Sequence, residues 1–110
     1  MNRQGRLVSY MKMWELAVKL LQAPFTHDAY EDMSAYLLGR DVLEEELQLA
    51  RRVGAVDREF IRALANSQPP WPHEMDDMMR RMGLEDVAWW RRLRREAAEE
   101  CAGNLKEVAA

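Results

Sequence analysis

Two histidines sit in the same short pattern. Gln22, Pro24, Phe25, His27 and Asp28 recur in the same order and spacing as Gln68, Pro70, Trp71, His73 and Glu74. An imidazole beside a carboxylate can ligate a transition metal, with the acid as a second ligand or as the group that orients the ring. If the match reflects a duplication, a local twofold axis would bring His27 and His73 together, with Asp28, Glu31, Asp32, Glu74 and Asp77 nearby. Neither copy has the HExxH or His-x3-His spacing that places two ligands on one helical face. Acids at a helix start also complement the positive end of its dipole without any metal. The expectation is no metal and no cofactor, with His27 and His73 the residues a metal would have to use.

The arginines form a second constellation. HEMDDMMRR followed by MGLEDVAWWRRLRR resembles a helix-turn-helix over residues 74–100. Such a resemblance implies a DNA-binding regulator whose second helix enters the major groove, with Arg91, Arg92 and Arg95 on phosphates. The pattern departs from that unit at Met79, where a small residue is usual, and at Arg92, where an aliphatic one is. Arg91, Arg92, Arg94 and Arg95 are followed one turn later by Glu96, Glu99 and Glu100, which suits pairing within the helix.

Catalytic motifs are missing from the sequence. It has no Gly-rich phosphate loop and no G-x-S-x-G, and the single cysteine, Cys101, reads as a small core residue rather than a nucleophile. Four tryptophans and eight methionines are a heavy apolar load for so small a chain. Adjacent Trp89 and Trp90 point about 100° apart on a helix, so one of them should be less buried than the other. An exposed tryptophan flanked by arginine is what an interaction anchor looks like. The sequence therefore favours a non-catalytic protein that binds another protein or itself, for instance as a homodimer, through Trp71, Trp89, Trp90, Arg91 and Arg92. Nucleic acid is the second choice of partner, and no membrane is expected.

These residues have to be positioned by helices. With 110 residues, 48% of them hydrophobic and 32% charged, the chain makes one globular domain. A net charge of −3 gives no bulk attraction for nucleic acid. The acids are concentrated, with seven in residues 28–50 against Arg40 alone. This block reads as a solvated face or a surface for a basic partner. One cysteine, no spanning apolar run and no signal-like start fit a cytoplasmic protein.

Leu7, Met11, Trp14, Val18 and Leu21 recur at spacings of four and three and predict a first helix, which Pro24 stops. Asp28 with Glu31 predicts a second helix ending at Gly39. Asp41 predicts a third, with Leu43, Leu47 and Ala50 inward, ending at Gly54. A fourth would start at Asp57, with Val56 and Ile61 as its staple. A fifth would follow the Pro69-Pro70 loop and end before Gly83, and a sixth would run from Glu85 or Asp86 and fray at Gly103. The expected architecture is an all-α bundle of about six helices, with a possible internal repeat of 14–58 and 60–105.

Overall fold

The computed structural model describes residues 3–109, with side chains to Leu105. Helices α1 (Arg3–Leu21), α2 (His27–Leu43), α3 (Ala50–Ala65), α4 (Trp71–Arg81) and α5 (Ala88–Ala109) follow one another, with a single 3-10 turn at Leu47–Leu49. No strand occurs among the described residues. The fold is all-α.

The 4-3 spacing on α1 works as expected: Met11, Trp14, Val18 and Leu21 are buried, joined by Ala17, and the helix stops three residues before Pro24. Its last turn tightens, with the Gln22 and Ala23 N–H groups donating to the Lys19 and Leu20 carbonyls at 3.1 Å. α1 packs against α2 and α3, and α3 packs against α5. Between them lie Trp14, Met33, Leu37, Phe60, Met79 and Leu93, each fully buried. Each such side chain contributes roughly 1.5–3 kcal/mol of apolar burial.

Two glycines do not stop helices. α2 runs through Gly39 to Leu43, and α3 runs through Gly54, so the expected second, third and fourth helices collapse into two. At Gly39 the reason is packing: a Cβ there would meet Tyr10 Cδ1 at 3.1 Å. The missing side chain lets α1 and α2 approach closely, while Leu37, Arg40 and Leu43 fix the helix from both sides. Gly54 is carried by buried Val53, Val56 and Asp57 on either side of it. Among the described residues only Gly83 has a left-handed φ, +72°, and there a helix does end.

The expected caps move accordingly. α2 is capped by Thr26, whose Oγ1 accepts from the Ala29 N–H at 3.0 Å, and Asp28 lies in its first turn. Asp41 and Asp57 are helix-interior residues, and Val56 and Ile61 are buried within α3 rather than stapling a helix start. Leu47 and Ala50 face outward, while Leu43 is core. α5 begins at Ala88 and continues through Gly103, and Cys101 is exposed rather than packed.

The two Pro-aromatic loops meet. Trp71 Nε1 donates to the Ala23 carbonyl at 2.8 Å, and its ring lies edge-on to Phe25 at 5.1 Å. Trp14 and Phe60, the first residues of the two halves of the expected repeat, stack at 4.4 Å. The halves are unequal beyond that, since α2 passes its glycine and α4 stops short of Gly83.

Candidate functional site

The centre of the molecule is polar. Asp57 of α3, buried, accepts from Trp14 Nε1 of α1 at 2.9 Å, from Arg40 Nε and Nη2 of α2 at 2.9 and 2.8 Å, and from Arg92 Nη2 of α5 at 3.0 Å. Four donors fill what the two oxygens of a carboxylate can accept. Arg40, only 1% exposed, uses its third nitrogen on Glu44 Oε2 at 2.7 Å. Its guanidinium lies 4.7 Å from the Trp89 ring centroid and 5.8 Å from that of Trp14. Burial pulls its pKa down, but the hydrogen bonds and charges of Asp57 and Glu44 outweigh that and hold it above the ordinary arginine value. Trp89 Nε1 donates to Asp41 Oδ1 at 2.8 Å. Every group in this cluster is engaged, so it fixes the register of four helices and has no open position for a ligand.

What the cluster positions is the outer face of α2. With Arg40 and Asp41 held inward, Leu38 and Val42, one turn apart, face out at 50% and 46% exposure, beside exposed Ala35. Leu47 follows at 86% exposure. Exposed acids border the stripe. Asp28, Asp32 and Glu45 have no ion-pair partner among the described residues, and Glu31 Oε1 has only His27 Nε2 at 3.3 Å. The block of acids read from the sequence is thus divided. Asp41, Glu44 and Glu46 are spent on Trp89, Arg40 and Arg3, and the remaining acids flank an apolar stripe.

Three concavities lie elsewhere on the surface. A groove of about 980 Å³ between α1 and α3 is floored by Val18, Val56 and Ala63 and rimmed by both signs of charge. A cleft of about 540 Å³ between α4 and α5 is lined by Arg80, Arg91, Arg94 and Arg95, with Asp76, Glu85 and Trp90. A third, of about 320 Å³, holds Phe25, His27, Tyr30, Glu74, Asp77 and Arg81.

The tryptophan surface read from the sequence is corrected by burial: Trp71 is fully enclosed, and Trp89 and Trp90 are each 3% exposed. Neighbouring side chains on a helix can both be buried when different helices cover them, and here α1 and α2 cover Trp89 while Trp90 sits toward α4. Arg91 and Arg92 are exposed, but they do not join a tryptophan patch. Arg92 also approaches Glu96 at 3.8 Å, Arg95 approaches Glu99 at 4.0 Å, and Arg94 grips Asp76 through two bonds of 2.8 and 3.1 Å. Six residues separate α4 from α5, a longer connection than the three or four of a helix-turn-helix.

His27 and His73 are both exposed, and His73 is not part of the cleft that His27 lines. Among the described residues no three His, Cys, Asp or Glu side chains are grouped to hold a metal ion, and no helix is long and apolar enough to cross a membrane. The residues that sequence reasoning missed are Leu38, Val42 and Leu47. The first two are spaced i,i+4, which was a usable signal, but the supposed stop at Gly39 broke the helix between them. Comparison of the chain with protein-family models, with curated proteins and with solved structures found no match.

Proposed function

We propose that this chain acts non-catalytically, by docking another protein on the outer face of α2. The observation that carries the reading is the exposed Leu38/Val42 stripe bordered by unpaired acids. An apolar ridge between carboxylates complements an amphipathic helix whose apolar side is flanked by lysine or arginine. The same charge disfavours a symmetric homodimer through this face, because a twofold axis would set acid against acid.

The test is a titration of the isotope-labelled chain with a synthetic amphipathic Lys/Leu helix, followed by NMR. Shifts confined to residues 28–47 are expected, weakening with salt. Leu38→Asp with Val42→Asp should reduce affinity roughly 30-fold, as loss of an anchor worth about 2 kcal/mol would, with an unchanged helical CD spectrum. Shifts centred elsewhere, or an indifferent double variant, would remove the reading.

A further inference from the structure

Three of the four tryptophan N–H groups have acceptors: Asp57 for Trp14, the Ala23 carbonyl for Trp71 and Asp41 for Trp89. Trp90 has none among the described residues, although its side chain is as buried as that of Trp89. Yet among the described residues no buried side-chain nitrogen or oxygen is left unpaired. The Trp90 N–H must therefore reach solvent, and Trp90 is among the residues that line the α4–α5 cleft. A nearly enclosed indole with a free donor is unusual, since such groups normally find a partner when buried.

Four guanidinium groups and two carboxylates line the cleft, and two of the four are already engaged, Arg94 by Asp76 and Arg80 by Asp77. Arg91 has no ion pair among the described residues, and Arg95 has only the 4.0 Å approach of Glu99. Trp90 and Arg91 also stand in the first turn of α5, at the positive end of its dipole. A fixed N–H, two available guanidinium forks and a helix start together match a multivalent oxyanion.

We propose that the α4–α5 cleft binds a phosphate group, with Trp90 Nε1–H and the guanidiniums of Arg91 and Arg95 as donors. At about 540 Å³ the cleft has room for a whole phosphate monoester as well as for the free ion. This site is independent of the docking face on α2.

The experiment follows the indole N–H resonances of the full chain at constant ionic strength, with Trp90 assigned through Trp90→Phe. Inorganic phosphate and a nucleoside monophosphate are titrated separately, with sodium chloride as the control. Saturable movement of the Trp90 resonance alone supports the site. Response to inorganic phosphate identifies a free-ion site, and tighter response to the nucleotide identifies a monoester site. Arg91→Gln and Trp90→Phe should each weaken binding about tenfold, the loss of one charge-assisted hydrogen bond. Arg91 and Arg95 are exposed, so their variants keep the test valid if Trp90→Phe folds poorly. No movement with either phosphate, equal movement with chloride, or movement only with duplex DNA would overturn the proposal.

Discussion

Trp89 and Trp90 are neighbours with equal burial and opposite polar surroundings. Trp89 turns toward α1 and α2, where its ring lies against Arg40 and its N–H meets Asp41. Trp90 turns toward α4, where the arginines find acids only at the surface and its own N–H finds none. One side of α5 thus seals a neutralised cluster, and the other leaves donors available. A buried charge is tolerated where its partners are complete, and a surplus of donors is tolerated where water can stand in for them.

The largest test of this contrast is Asp57→Ala, which strands Arg40 under two indoles. It should cost about 3–5 kcal/mol in denaturant unfolding; a loss under 1 kcal/mol would mean that water reaches the cluster. Next, Trp89→Phe should destabilise more than Trp90→Phe by roughly 1–2 kcal/mol, since only the first loses a paired N–H and a cation–π contact. Equal losses would break the comparison.

Arg92→Gln, which withdraws a bond from buried Asp57, should cost about 1 kcal/mol and change little with salt. Arg94→Gln at the exposed Asp76 pair should cost less than about 1 kcal/mol and fade at high ionic strength. Parallel salt series on the two variants decide it. The smallest effect contrasts two glycines in the same spirit. Gly54→Ala enters open space, with only Arg58 Nη1 within reach at 3.9 Å, and should raise stability by about 0.4–1 kcal/mol. Gly39→Ala must displace Tyr10 and should forfeit that gain.

The fold class, the span of α1, the Pro69-Pro70 loop and the glycine end before α5 were legible because each rests on local chemistry: apolar spacing, proline geometry and a left-handed glycine. The glycine stops at Gly39 and Gly54 failed because a packed neighbour or buried flanking residues outweigh a propensity cost of about 1 kcal/mol. Asp41 and Asp57 were misread as caps for a related reason. An aspartate before an apolar run looks alike whether it serves a helix start or a distant tryptophan, and its partners, Trp89 in one case and Trp14, Arg40 and Arg92 in the other, are remote in sequence. The outer face of α2 became readable only once that helix was seen to be continuous.

The roof over Arg40 has a consequence for the order in which the chain can be completed. Arg40 and Asp57 leave the ribosome well before Trp89 and Arg92, which cover and share them. A nascent chain ending in the Pro69-Pro70 loop already holds α1, α2 and α3, but its central ion pair is open to water on the α5 side. Stable closure waits for α5. Release from a stalled ribosome at that loop should therefore yield a protease-sensitive fragment, even though most of the apolar core has been made.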